Sequence, residues 1–259
     1  MIMNESTQTN EVSTLIPLAL PNLKKLVFAG DQKQLSSFTN NEALQESLFE
    51  KIVNKCENGK VLMLDKQYRM HPHITKFPRT KFYGELLKDG VSVEERGLDN
   101  IKKPFVFWDT KGLDNYEEKM ANFNVYKNKK QHYSSENEGE GKLIIKILYE
   151  LIFNKNISKD RIGVISPYSG QRQLLTDKIF KDKLINPNGE QVVINKDSDE
   201  MYEDQQASTL NIICEISIAT SDAFQGKEKD FVLFSCVRNN PKGKNGFTQD
   251  ERRINVALT

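Results

Sequence analysis

Ile216-Ser-Ile-Ala-Thr-Ser-Asp-Ala-Phe-Gln-Gly-Lys-Glu-Lys-Asp-Phe-Val-Leu-Phe-Ser-Cys-Val-Arg238 is the stretch that decides the fold. It reads as a strand carrying Ile216 and Ile218, a polar turn around Gln225-Gly226, and a strongly apolar run over 231–237 that is expected to be a buried strand. Two apolar runs flanking a polar, glycine-containing loop place Thr220, Asp222, Gln225 and Glu228 at the rim of a sheet. In open α/β sheets that rim is where ligands bind.

Working outward, Met1-Ile2-Met3 has the character of the end of a buried strand, and 23–29 that of another strand, which the loop Gly30-Asp31-Gln32-Lys33-Gln34-Leu35 leaves. Residues 41–55 carry Leu44, Leu48 and Ile52 at helical spacing, and Ser134 or Ser135 is expected to cap a helix bearing Leu143, Ile147, Leu148 and Leu151. Strands are expected at 61–64, 105–109 and 161–166, with Trp108 in the core, and a helix at 170–180. The polar stretch from 110 to 133 reads as a loop, its Lys127, Lys129 and Lys130 as solvated charges. Residues 187–208, with Asp197, Asp199, Glu200, Glu203 and Asp204, read as a flexible acidic insertion. Alternating strands and helices predict an α/β fold with a mostly parallel sheet and helices on both faces.

The 259 residues carry a net charge of +1, so any nucleic-acid contact must come from a local patch rather than a global basic field. Cys56, Cys214 and Cys236 are far apart and lack histidines at ligand spacing, which argues against a zinc site and fits a reducing, intracellular setting. No apolar run approaches the roughly 20 residues of a membrane span, and no signal peptide opens the chain.

Five clusters succeed one another: Gly30-Asp31-x-x-Gln34-Leu35; Gln67-Tyr68-Arg69-Met70-His71-Pro72; Gly163-Val164-Ile165-Ser166-Pro167-Tyr168; 222–230, containing Gln225-Gly226-Lys227-Glu228; and 252–259, Arg-Arg-Ile-Asn-Val-Ala-Leu-Thr. Together they resemble the superfamily 1 helicases of the nonsense-mediated-decay and senataxin branch, and the residues around Phe77 and Phe82 lean toward the senataxin-like side. The resemblance implies a RecA-like P-loop NTPase fold, with 1–55 a remnant of a first RecA-like domain and 56–259 most of a second. It implies ATP with Mg as cofactors, single-stranded RNA or DNA as partner, a possible separate N-terminal half or other subunits, and a nuclear location.

Residue by residue, the resemblance implies that Glu5 orients the attacking water, Gln34 senses the γ-phosphate, and Tyr68 and Arg69 reach the nucleotide from the second domain. Gly30, Asp31, Gly226 and Glu228 fall in the nucleotide-facing motifs, and Ser166, Tyr168 and Thr220 in those that face nucleic acid or couple it to the cleft. Phosphoryl transfer depends on positioning and on neutralising charge, for which a cationic fork, a neutral amide and a carboxylate are suitable groups. Tyr168 has a second reading, simple packing on the next helix, and Asp31 equally suits a cap of its own loop; His71 is expected to close a turn.

Three departures stand out. No G-x-x-x-x-G-K-[ST] loop occurs. Asn4 stands where the family's D-E-x-x-Q motif has its metal-associated aspartate, so the charge that Mg²⁺ favours is gone. The family's finger arginine falls beyond Thr259. The expectation is a helicase region that does not hydrolyse ATP alone, or, alternatively, a non-catalytic nucleic-acid-binding scaffold.

Overall fold

The computed structural model describes residues 1–37, 39, 41–55, 61–97, 101–123, 132–196 and 209–259. It divides into two compact units, Met1–Phe105 with Leu258–Thr259, and Val106–Ala257.

In the first unit β1 (Ile2–Met3) pairs in parallel with β2 (Val27–Phe28), in the register Ile2↔Val27 and Met3↔Phe28. The expected strand at 23–29 is thus only two residues long, and β1 is not buried, because Ile2 is 72 % exposed. Between them lies α1 (Glu11–Leu18), whose N-cap Asn10 accepts from the Ser13 N–H. The helix expected at 41–55 breaks in two: a 3₁₀ turn, Glu42–Leu44, precedes α2 (Leu48–Lys55). The break has a local cause. Ser47 and Glu50 form a capping box, the Glu50 N–H donating to Ser47 Oγ at 3.1 Å and the Ser47 N–H to Glu50 Oε2 at 3.0 Å.

The expected strand at 61–64 does not form; Leu62 and Leu64 are 91 % and 90 % exposed. The pairing falls a few residues later, between β3 (Lys66–Gln67) and β4 (Lys88–Asp89), on either side of α3 (Pro72–Phe82).

The second unit holds the larger core. A hairpin of β5 (Lys119–Phe123) and β6 (His132–Glu136) replaces part of the expected loop; Lys127, Lys129 and Lys130 lie outside the described residues. Residues 105–109 form no strand, and Trp108, expected in the core, is 58 % exposed. Then come α4 (Glu138–Tyr149), which runs into a π-helical turn at Glu150–Asn154, β7 (Ile162–Ile165) and α5 (Ser169–Lys181). The cap of α4 is neither Ser134 nor Ser135 but Asn137, whose side chain accepts from the Glu140 N–H at 3.0 Å.

β8 (Val193–Lys196) lies inside the stretch read as an unstructured insertion, whose residues 197–208 are outside the described ones. β9 (Thr209–Ile213) and β10 (Ile216–Ala219) form a hairpin closed by Cys214 and Glu215, with φ of 48° and 67°. Two successive positive φ values are those of a type I′ turn, which matches the twist of a two-residue hairpin. α6 (Ser221–Phe224), β11 (Phe231–Phe234) and α7 (Glu251–Leu258) complete the chain.

The five-stranded sheet has the order β11-β7-β10-β9-β8. β7 is parallel to both β10 and β11, while β9 and β8 extend the sheet antiparallel. β11 is therefore an edge strand, with Val232 41 % exposed, rather than the buried strand its composition predicts. β7 and β10 are buried throughout, and Leu148, Leu175 and Ile179 from α4 and α5 are fully buried. Gly163 is required at the centre, because a Cβ there would sit 2.9 Å from the Phe224 ring.

Buried amides tie this core together. Gln171 Oε1 accepts from the Asn137 N–H at 2.7 Å, Gln171 Nε2 donates to Asn137 O at 3.1 Å and Ser235 Oγ at 3.0 Å, and Asn137 Nδ2 donates to Val237 O at 3.0 Å. Asn137→Ala removes a helix cap and leaves buried partners unmatched. It is expected to destabilise the chain by about 2–4 kcal/mol, measured as a fall in denaturation midpoint without a change in slope.

Candidate functional site

Parallel pairing of β1 and β2 brings the segment after each strand to one rim. The ladder continues past the strands, with the Ala29 N–H donating to Met3 O and the Ser6 N–H to Ala29 O, both at 2.8 Å. Glu5 sits in this turn at φ 50° and is partly buried, while Asn4 is exposed. Gly30 lies so near that a Cβ would stand 3.2 Å from the backbone nitrogens of both Ser6 and Thr7. The Glu5 turn and the start of the Gly30 loop are thus brought side by side by two short strands.

Asp31 organises the Gly30 loop. Its Oδ1 accepts from the Lys33 N–H at 2.8 Å, its carbonyl from the Gln34 N–H at 3.0 Å, and its Oδ2 from the Tyr83 hydroxyl at 2.6 Å. The loop-capping reading of Asp31 therefore describes its contacts, and Tyr83 is a partner that sequence reasoning missed. Asn4 is a neutral amide and both Asp31 oxygens are engaged. Among the described residues no group of three or more His, Cys, Asp or Glu side chains could hold a metal ion.

The loop before α3 is built by Gln67, a second residue without a sequence-assigned role. Its Oε1 accepts from the Arg69 and Met70 N–H groups at 3.0 and 2.7 Å. Its Nε2 faces Met70 O, Thr75 Oγ1 and Asp89 Oδ1 at 2.8–3.0 Å. Asp89 is held in turn by Arg79 at 2.9 Å. With the loop folded around that amide, Tyr68 and Arg69 project outward, and Tyr68 is 58 % exposed. The Tyr68 ring covers Gly90, where any Cβ would collide with it. Arg69 Nη1 donates to Thr259 O at 3.2 Å. His71 closes the turn as expected: it caps α3, its Nδ1 accepting from the His73 N–H at 3.0 Å.

In the second unit Ser166 follows β7 and Thr220 follows β10, again at a shared parallel rim, with the Ser166 N–H donating to Ala219 O at 3.1 Å. Thr220 caps α6 by accepting from the Ala223 N–H. Ser166, Tyr168 and Thr220 are only 1 %, 4 % and 2 % exposed, so none presents a side chain to solvent. Gly226 (φ 74°) and Glu228 are exposed in the loop before β11. Asp222 accepts from Arg253 Nε at 3.2 Å, joining two of the motif clusters. Gln34 and Arg69 belong to the first unit, and Glu228 to the second.

Residues 44–259 match a family model described as an AAA domain. The whole chain is 41 % identical over 268 residues to ECM32 of Saccharomyces cerevisiae and 32 % identical over 272 residues to the ATP-dependent helicase NAM7 of the same yeast, covering 24 % of each. It is 33 % identical over 271 residues to a regulator of nonsense transcripts 1 homolog of Neurospora crassa, covering 21 % of it. The chain belongs to the superfamily 1 helicases of the nonsense-mediated-decay type. Its α/β fold is the RecA-like fold of that helicase family. The helicase region seen here spans about a quarter of the length of these relatives.

Two outcomes test the first unit of this helicase region. Burial, and then the neighbouring His73, hold His71 below its ordinary value of 6.5. Between that depressed native value and 6.5 the unfolded chain binds more protons, so stability is complete above pH 6.5 and declines as pH falls through this window. His71→Asn, which retains a capping acceptor, is expected to flatten that stretch of the pH–stability curve. Tyr83→Phe removes one hydrogen bond to a carboxylate and is expected to cost about 1–2 kcal/mol. Combined with Asp31→Asn, its effect should be markedly less than additive in denaturant titrations.

Proposed function

We propose that this chain is the C-terminal helicase region of an ATP-dependent superfamily 1 helicase or translocase acting on single-stranded RNA or DNA, of the senataxin-like branch and nuclear. The observation that carries this reading is the common rim of β1 and β2, which gathers Glu5 and the Gly30–Gln34 loop into one turn-lined edge. There Glu5 orients water and Gln34 senses the γ-phosphate. Gly30 and Asp31 shape the turn, and Tyr68, Arg69, Gly226 and Glu228 contact the nucleotide from the second RecA-like lobe. The lobes divide near residue 55, so the hydrogen bond from Tyr83 to Asp31 links them within the first compact unit. Ser166 and Thr220, buried at the β7–β10 rim, couple nucleic acid to the cleft by shaping that rim.

We further propose that the 259 residues do not turn over ATP alone, since they contain no phosphate loop and Asn4 lacks the metal-favouring charge. Asn4 also favours a second reading, a nucleic-acid-binding scaffold derived from a helicase. The two separate in one experiment, in which the chain is supplied with a protein half carrying a phosphate loop. The helicase reading expects ATP turnover stimulated by single-stranded RNA, raised about tenfold or more by Asn4→Asp at saturating Mg²⁺. RNA binding without turnover in either form supports the scaffold, whereas steady turnover by the unaided chain overturns its proposed inactivity.

A further inference from the structure

Tyr168 stands in a motif assigned to nucleic acid, yet it is buried, and what covers it is a surface loop. Its hydroxyl donates to Asn245 O at 3.4 Å and accepts from the Phe247 N–H at 3.1 Å. Gly246, at φ 56°, lies so close above that hydroxyl that any Cβ there would collide with it.

Residues 241–247, Pro-Lys-Gly-Lys-Asn-Gly-Phe, are all exposed, which would ordinarily mark a loop with little to hold it. This one is pinned at several points. Asn240 clamps Lys244 on both backbone groups, donating to its carbonyl at 2.8 Å and accepting from its N–H at 3.1 Å. Arg238 Nε donates to the same carbonyl at 3.1 Å. Glu118 in turn accepts from the Asn239 N–H at 3.0 Å and from Asn240 Nδ2 at 3.2 Å, and pairs with Arg238 at 3.2 Å. The loop root is also fixed by a γ-turn at Val237 (φ 68°), where the Arg238 N–H donates to Cys236 O at 2.7 Å.

This fixed loop presents an aromatic ring and two ammonium groups. Phe247 is 50 % exposed. It belongs to a continuous stack, with the Arg253 guanidinium 4.9 Å from its centroid, Tyr168 5.4 Å away, and Arg238 5.9 Å from the Tyr168 ring. Both arginines are already paired with carboxylates, Arg238 with Glu118 and Arg253 with Asp222 and Asp250, so their charge is largely spent on holding the stack. Lys242 and Lys244 carry exposed charge on either side of Gly243. An ordered aromatic beside basic groups is the arrangement that binds single strands without sequence preference, by stacking a base and tracking phosphates. Preorganisation lowers the ordering cost of binding.

We propose that the 241–247 loop is a single-stranded nucleic-acid contact of this chain, with Phe247 as the stacking platform and Lys242 and Lys244 as phosphate partners. Tyr168 acts beneath it as the anchor. The proposal rests on the helicase reading and relocates the contact from a buried residue to an exposed one.

Anisotropy of a labelled oligouridine titrated with the whole chain across a salt series tests it. Phe247→Ala is expected to weaken binding roughly tenfold, and Phe247→Trp to retain it. Lys242→Gln with Lys244→Gln should lower the slope of log affinity against log salt by about 1.4, while Lys24→Gln with Lys25→Gln leaves it unchanged. Unfolding midpoints equal to the parent's show that the loop variants are folded, and the tryptophan variant guards against a packing effect of the alanine. If the parent binds and the loop variants bind equally well, the proposal is overturned and the helicase reading stands. If the parent does not bind in low salt, the nucleic-acid reading itself fails and takes the proposal with it.

Discussion

Two fully buried amides, Asn137 and Gln171, constrain how the elements of the second unit meet. Each must satisfy donors and acceptors away from water, since an unmatched buried polar group costs as much as several methylenes of burial. They do so mutually, and together they reach Ser235 and the Val237 carbonyl just past the end of β11. Glu140 completes the arrangement by accepting from Ser235 Oγ at 2.6 Å and the Val237 N–H at 3.0 Å. The start of α4, the start of α5 and the exit of an edge strand are thus held in one relation. The γ-turn, the placement of Arg238 and the course of the loop after it all inherit their geometry from it.

Both units use parallel pairing to gather motif residues. A parallel neighbour places two strand ends, and hence two loops, on one side, which an antiparallel neighbour cannot do. In the first unit this joins the Glu5 turn to the Gly30 loop, and in the second it joins Ser166 to Thr220. Segments far apart in the chain become adjacent through backbone pairing, the Ser6 N–H donating to Ala29 O and the Ser166 N–H to Ala219 O. The antiparallel strands β8 and β9 widen the second sheet on the other side from β11 and bury Leu210 against Ala219, Phe224 and Ala257.

Sequence reading found what long apolar runs or strong motifs announce: β7 and β10, which are buried throughout, and α5, which buries one face. It failed where the same signal lacks a ladder. Residues 61–64 and 105–108 are as apolar as β7, yet the described residues form no strand there and Leu62 and Phe107 are 91 % and 75 % exposed. Apolar composition states a wish for burial; a strand also needs a neighbour. Conversely, β5 and β6 are polar and were invisible, because a hairpin's stability comes from cross-strand pairing that a single segment does not display. The site shows the same division. The motif residues were legible as types at spacings. Gln67 and Tyr83, which hold two of the motif loops in place, were not, since their partners Asp89 and Asp31 lie 22 and 52 residues away.

Helix α3 has the Tyr68-Arg69 loop at its beginning and, just past its end, the phenol that grips the Asp31 turn. Its eleven residues span about 16 Å and include Pro78, which has no N–H to donate to the preceding turn. One short helix thus sets the spacing between the loop that carries Tyr68 and Arg69 and the phenol that holds the Asp31 turn, so a residue inserted in α3 would alter that span.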